Sequence, residues 1–332
     1  MTSDRRKVLI TGAGGFIGSH LVKERLARGD TVSAMDVDLQ RLDALRLKGD
    51  LSCEPLDLRA SDRLARLLAG VDTVFHLAAA HLDVLKGADY FHEVNVDATR
   101  TFARLSAEAG VRRFVHCSTV GVYGPLQSLP ADETTPPMPD IAYERSKLEG
   151  EAAIRSVIDE TGLDAVILRP AWVYGPLCPR TQKLIRTIVR KRFFFVGDGS
   201  NQRHPVYITD MLEAFHRAAV QPVPSGETLI IAGPDTVSVK QLIGLIIEEL
   251  GMDYAPPRLP TWFMEAACLG VEKAAGLVGR EPPFSRRSLK FFSESSGFDI
   301  AKAARLMDFR PKIDTREGLR LTIREFRAQG IL

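Results

Sequence analysis

The 332 residues predict an α/β protein: a doubly wound parallel sheet followed by a smaller α/β domain. Three observations carry that expectation. Between residue 7 and about residue 170, short apolar, β-branched runs alternate with longer stretches of helical period. Two runs, VFHLA and AVILR, are apolar almost throughout, as strands covered on both faces must be. The first run passes directly into a glycine-rich turn, TGAGGFIG, and then into a helix.

Six runs read as strands, at residues 8–10, 31–35, 52–55, 73–77, 114–117 and 165–168. The helix after the glycine turn, SHLVKERLARG, is amphipathic. Beyond residue 170 proline and glycine become frequent, and helices are expected near residues 181–192, 209–220 and 239–250, separated by short strands. The expected division is residues 1–175 and residues 176–332, with some strands of the second part returning to the first sheet. Proline clusters at Pro136, Pro137 and Pro139, at Pro256, Pro257 and Pro260, and at Pro282 and Pro283 mark loops.

Length agrees with this division, since a prior of about 150 residues per domain gives roughly two. A chain with 45% hydrophobic and 26% charged residues is neither disordered nor fibrous. Lys and Arg number 44 against 42 Asp and Glu, a net charge of +2, so nothing draws the whole chain to nucleic acid or an anionic membrane. Cys53, Cys117, Cys178 and Cys268 are widely spaced, without a CxxC pair, and are expected to be reduced thiols in a cytoplasm. The apolar run at residues 8–10 is too short for a signal-peptide core, and the apolar stretch 262–278 is broken by Glu265, Glu272 and Lys273, so export and membrane insertion are disfavoured. None of the seven His residues pairs with Cys or carboxylate at ligand spacing, and no metal is expected.

The glycine turn is built for an anion. Gly12 permits the tight turn, Gly15 lets backbone approach a phosphate, Gly18 lets helix pack on strand, and the helix start offers unpaired N–H groups. Preceding strand and following helix are both present, which a fortuitous GxxGxxG would lack. Asp36 ends the second strand, where a carboxylate accepts from both ribose hydroxyls of an adenosine and repels a 2′-phosphate. NAD is therefore expected over NADP, although a loop acid or helix cap is the plain alternative for Asp36. Asp57, after the third strand, is suitably placed for an adenine amino group.

Tyr143 and Lys147, in YERSK, stand four residues apart and so share a helix face. A phenol that ionises near 10 must shift by about three pH units to act as a base near neutrality, on the order of 4 kcal/mol. A neighbouring ammonium and a cationic nicotinamide supply that through charge. At the end of the fifth strand, CSTVGVYG places hydroxyls at the carboxyl edge of the sheet, Thr119 first and Ser118 second, where one of them can hold a substrate oxygen; capping the strand end is their plain alternative.

With TGAGGFIG, Asp36, the HLAAA run, Asn95 in NVDAT, STVGVYG, YERSK and LRPAWVYGP in order over residues 7–176, the chain resembles the extended short-chain dehydrogenases/reductases of the nicotinamide-dependent epimerase/dehydratase type. The resemblance implies a Rossmann-like cofactor domain in the first part and a substrate domain in the second. It implies Tyr143 as acid/base, Lys147 on the nicotinamide ribose, and Thr119 at the family's Ser/Thr position. It further implies that Phe16, Ile17, Leu58, Leu77, Ala78, Ala79 and Pro170 line the cofactor cleft and that Asn95 supports it, while Asn95 reads equally as a helix cap. A homodimer through a helix pair that includes the Tyr143 helix is implied as well.

For the substrate, Arg203 in GDGSNQRHPVYITD resembles the arginine that grips a diphosphate in sugar-nucleotide enzymes. Arg180, Lys183, Arg186, Arg190, Lys191 and Arg192 add cations nearby, most of them readable as a solvated face. Trp172 stands where those enzymes carry Asn, and His204-Pro205 replaces their Asp-Phe. The later layout, TWFMEAACLGVEKAAGLVG and then FDIAKAARLMDFRP, resembles the 3β-hydroxysteroid dehydrogenase branch. A nucleotide sugar, handled by a 4-epimerase or dehydratase, is the leading expectation, with Trp172, Arg203, Thr119 and Tyr143 at the substrate. An apolar-alcohol dehydrogenase is the alternative, and a non-catalytic nucleotide- or RNA-binding relative the remote one, against which intact Thr119, Tyr143 and Lys147 count.

Overall fold

Every apolar run expected to be a strand is one in the computed structural model, which describes residues 6–45, 49–81, 87–264, 266, 268 and 291–332. The first half supplies β1 (Lys7–Thr11), β2 (Thr31–Asp36), β3 (Leu51–Pro55), β4 (Thr73–His76), β5 (Arg113–Cys117) and β6 (Ala165–Pro170). Between them run α1 (Phe16–Ala27), α2 (Ser61–Leu67), α3 (Ala88–His92), α4 (Thr99–Glu108) and α5 (Ala142–Thr161). A π-helical turn, Glu93–Ala98, joins α3 to α4. Such widened turns recur at functional sites because they displace a side chain that a regular helix would direct elsewhere.

The second half contributes β7 (Trp172–Tyr174), α6 (Pro179–Val189), β8 (Phe195–Val196), β9 (Gln202–Arg203), β10 (Pro205–Tyr207), α7 (Ile208–Val220), β11 (Thr228–Ile231), β12 (Val237–Ser238), α8 (Val239–Leu250) and β13 (Arg258–Leu259). It ends with α9 (Ala301–Met307) and α10 (Thr315–Ala328). The pairs β7–β10, β9–β12 and β8–β13 form small satellites. β11, wholly buried TLII, returns to the first half and pairs with β6.

The main sheet has seven parallel strands in the order β11-β6-β5-β4-β1-β2-β3. Because all seven run the same way, Thr11, Asp36, His76, Cys117 and Pro170 meet at one edge. Chain order reverses between β1 and β4, and the crevice above that point is where such sheets take ligands.

Alternation along each strand builds the two covered faces. Val8, Ile10, Phe75 and Val115 belong to one apolar cluster, completed by α1 and by Phe215 of α7, whose ring stands edge-on to Phe75. Leu9, Val74 and Phe114 belong to the other, with Phe102 of α4 and Ile154 and Val157 of α5. One cover of the first-half sheet is therefore supplied in part by the second half. The apolar stretch 261–279 lies for the most part outside the described residues.

Candidate active site

β1 ends where its backbone must turn sharply under a neighbouring strand end. Gly12 sits at φ +69°, and a Cβ there would stand 2.7 Å from the backbone N of Ala78. Gly14, to which the sequence pattern assigns no role, is the tightest position, since a Cβ would lie 1.7 Å from the Asp38 carbonyl oxygen. Gly15 precedes α1 in extended conformation, and no side chain caps the helix, so the first-turn N–H groups at Phe16, Ile17 and Gly18 remain directed outward from the helix start. That is a cradle for an anion such as a diphosphate.

Asp36 accepts from the Gly14 N–H through Oδ2 at 2.9 Å and from the Asp38 N–H through Oδ1 at 3.3 Å. Burial raises its carboxyl above the usual range, and those N–H groups partly offset this. Both carboxylate oxygens keep lone pairs beyond these two bonds. Asp57 is held by Arg59, Nε to Oδ1 at 2.9 Å and Nη2 to Oδ2 at 2.8 Å, with the guanidinium over the Tyr90 ring. Its two oxygens are thus engaged by a cation rather than turned solely toward an adenine. The Leu58 side chain is buried in the core, whereas Leu77, Ala78 and Ala79 are half-buried at the edge. The Ala78 N–H donates to Thr11 Oγ1 at 3.1 Å. Pro170 is the buried last residue of β6.

Asn95, carried by the π-helical turn, binds two elements together. Its Oδ1 accepts from the Ala80 N–H at 2.8 Å, and its Nδ2 donates to Ser146 Oγ at 2.9 Å and to the Ala80 carbonyl at 3.2 Å. Gly150 makes this approach possible, because a Cβ there would stand 2.4 Å from the Asn95 carbonyl oxygen. The helix-cap alternative for Asn95 does not match these bonds.

Helix α5 opens where the Glu144 carboxylate accepts from the N–H groups of Asp140, at 3.1 Å, and Ile141, at 3.4 Å. Tyr143, in that first turn, is half-buried beside His81, whose ring centroid is 4.6 Å away, and Phe91, at 6.4 Å. Lys147 is one turn further in and 2% exposed. Its Nζ lies 3.4 Å from His116 Nε2, and burial lowers its pKa from the usual lysine value, while Cys117 and Glu151 oppose that. Burial pushes the Cys117 thiol up to about 11.

The two strand-end hydroxyls differ. Ser118 is buried and donates to Glu151 Oε1 at 2.5 Å, so its proton is committed inside the protein. Thr119 Oγ1 accepts from the Gly121 N–H at 3.0 Å and caps the turn Val120–Tyr123. Capping uses a lone pair and leaves the O–H for a substrate oxygen. The geometry therefore favours Thr119 and assigns Ser118 to the buried network.

Trp172 and Arg203 come together through a residue that sequence reasoning missed. Phe291 stands edge-on to Trp172 at 6.0 Å, and the Arg203 guanidinium lies 4.7 Å from its ring centroid. Burial lowers Arg203 to about 10. His204 is a fastener, donating through Nε2 to the Gly233 carbonyl at 2.9 Å and accepting from the Phe298 N–H at 3.1 Å. Among the cations of residues 180–192, Arg180 contacts His81 Nε2 at 3.2 Å, and all six named above are exposed. Also missed were His76, whose ring nitrogens meet Thr11 and Thr99 Oγ1 at 2.8 and 3.1 Å, and His116 beside it. The strand runs show both histidines, but not which groups across the sheet and helix they meet. Among the described residues, no cluster of three His, Cys, Asp or Glu is placed to hold a metal, and no helix is long and apolar enough to cross a membrane.

The family model for the NAD dependent epimerase/dehydratase family matches residues 8–232. The chain is 30% identical over 330 residues to an uncharacterized UDP-glucose epimerase, YtcB, of Bacillus subtilis, covering 94% of this chain and 95% of that protein. It is 26% identical over 361 residues to a 3beta-hydroxysteroid-dehydrogenase/decarboxylase of Arabidopsis thaliana, covering 98% and 81%. Among solved structures, the dTDP-glucose 4,6-dehydratase DesIV of Streptomyces venezuelae, with NAD bound, superposes with a TM-score of 0.78 at 28% identity, covering 97% of each chain.

Proposed function

The chain belongs to the NAD dependent epimerase/dehydratase family, and on that premise we propose that it oxidises a secondary carbinol of a nucleotide sugar to a ketone, with Tyr143 as acid/base, in a 4-epimerase or dehydratase cycle. The observation that carries this reading is the pairing of Tyr143, at the mouth, with a buried Lys147 one turn below it, beside a glycine cradle that side chains would fill. Bound NAD supplies the hydride acceptor and, after rotation or elimination at the ketone, the donor.

The chain's own residues do the rest. The first turn of α1 and Gly12 to Gly15 hold the diphosphate, and Asp36 takes the adenosine ribose hydroxyls, which favours NAD over its 2′-phosphorylated form. Lys147 grips the second ribose and, as a buried cation, draws the phenol toward ionisation. Tyr143 removes the hydroxyl proton as the hydride leaves, and Thr119 holds the same oxygen by donating its O–H. Residues 1–175 thus hold the cofactor and carry the catalytic residues, and residues 176–332 serve the substrate, with Arg203 toward a diphosphate. Self-association through a helix pair that includes α5 belongs to the same reading, and light scattering tests it.

One observation favours a second reading: the Trp172–Phe291 wall is aromatic, which suits an apolar alcohol, as does the likeness to a hydroxysteroid enzyme. A paired panel of UDP- and dTDP-sugars against hydroxysteroids, followed by product stereochemistry and nicotinamide absorbance, separates the two. Tyr143→Phe is expected to lower turnover by about 10²- to 10⁴-fold while NAD still raises the melting temperature. Undiminished turnover in that variant overturns the mechanism.

A further inference from the structure

His76 and His116 are register partners on adjacent parallel strands, their ring centroids 5.3 Å apart and both wholly buried. They are treated differently. Both nitrogens of His76 meet threonine hydroxyls, whereas His116 Nδ1 has no hydrogen-bond partner among the described residues. An unmatched buried polar group costs about 1–3 kcal/mol. What the imidazole provides is at its other end, where Nε2 faces Lys147 Nζ at 3.4 Å.

We propose that His116 is a positioning residue for Lys147: its neutral imidazole accepts from the ammonium through Nε2 and holds it beneath the first turn of α5. This rests on the reading of Lys147 given above. With the ammonium as donor, Nε2 is the acceptor and the ring proton sits on Nδ1, the nitrogen without a partner. Burial keeps His116 neutral, with Lys147, His76 and Arg155 acting the same way. The other groups facing Lys147 are Cys117, whose raised thiol is neutral at pH 7, and Glu151, one turn along α5. An aligned acceptor favours the charged ammonium against the burial that disfavours it. Without that acceptor, Lys147 loses its proton at lower pH, and the phenol loses its cation with it.

Two variants of the full chain, assayed with NAD and substrate, test the assignment. His116→Phe fills the ring's space without an acceptor, and His116→Gln restores one near the position of Nε2. The Phe variant is expected to lower kcat about tenfold and move the alkaline limb of the pH profile down by about one pH unit, with melting temperature no lower than the parent's. The Gln variant is expected to recover most of both. A parental kcat and alkaline limb in the Phe variant, or a Gln variant no better than Phe, overturns the proposal. Should the Phe variant not fold, His116→Leu is read by the same profile. Tyr143→Phe run in parallel separates the two failures: if it retains turnover the functional reading falls, and if it is inactive beside a normal His116→Phe only the positioning role falls.

Discussion

Helix α5 carries two buried polar clusters one turn apart, around Lys147 and Glu151, and they are built on opposite principles. Glu151 is wholly buried, yet Arg169 grips it with two bonds, Nε to Oε1 at 2.9 Å and Nη2 to Oε2 at 2.7 Å. Ser118 supplies a third bond, and the remaining arm of Arg169 donates to Tyr123 Oη at 2.8 Å while lying over that ring. Charge is balanced there. Lys147 has a neutral imidazole where Glu151 has a guanidinium, and that imidazole is itself left with an unmatched nitrogen. The satisfied cluster locks β5, β6, α5 and the turn at 120–123 together. The other sets a buried ammonium against a neutral ring at hydrogen-bond distance rather than against a bidentate counter-charge.

The comparison is broken most directly at Arg169. Arg169→Met leaves the buried Glu151 carboxylate with only Ser118 and a longer 3.6 Å contact to Arg155, and is expected to cost about 3–5 kcal/mol in chemical denaturation, whereas adding Glu151→Leu should return much of that loss. A single-variant cost near that of a surface substitution would mean that the pair is not the lock described. The neighbouring hydroxyls give the next largest effects, in opposite currencies. Ser118→Ala, which removes a bond to a charged group, is expected to lose about 1.5–3 kcal/mol of stability and comparatively little turnover. Thr119→Ala should show the reverse balance, losing only the turn cap, about 0.5–2 kcal/mol, but turnover by about 10²-fold. Equal behaviour of the two variants would erase the distinction drawn between them.

The smallest effect is expected at Asp36, where the same contrast between satisfied and ready groups is milder. Its folded-state pKa is raised by burial, so the folded chain holds that proton more tightly than the unfolded one. The resulting penalty is absent below the ordinary value of 3.8 and complete above Asp36's raised value. Asp36→Asn should therefore leave the melting temperature of the cofactor-free protein unchanged or slightly higher at neutral pH. The advantage should vanish as pH falls through that interval, and the rise in melting temperature on adding NAD should shrink. A lower melting temperature at neutral pH, with an undiminished response to NAD, would show that the carboxylate serves the turn rather than the ligand.

Much of the cradle and of the Tyr143–Lys147 spacing was legible because it is local. A tight turn needs glycine within a few residues, and a shared helix face needs a separation of four. Gly14 was not legible, since its requirement comes from the Asp38 carbonyl across the sheet. Ser118 misled for the same reason: a serine at a strand end looks available until Glu151, 33 residues away, claims its proton. Phe291, which joins Trp172 to Arg203, belongs to no motif at all.

By itself, the sequence determined the class of fold and the strand runs, and it placed a glycine turn after β1, a carboxylate at the end of β2 and a phenol and ammonium four residues apart on α5. All of these follow from short-range periodicity and backbone sterics, which a chain writes into neighbouring residues. Only the tertiary structure decided which hydroxyl is committed, which second-half strand and helix complete the first-half sheet, and which of two adjacent histidines faces the lysine. Those outcomes depend on the register of parallel strands and on contacts such as Lys147 to His116, 31 residues apart, and Asn95 to Ser146, 51 apart. Burial then sets the worth of each contact, because the same imidazole or carboxylate that water would satisfy must find its partner inside the protein or go without.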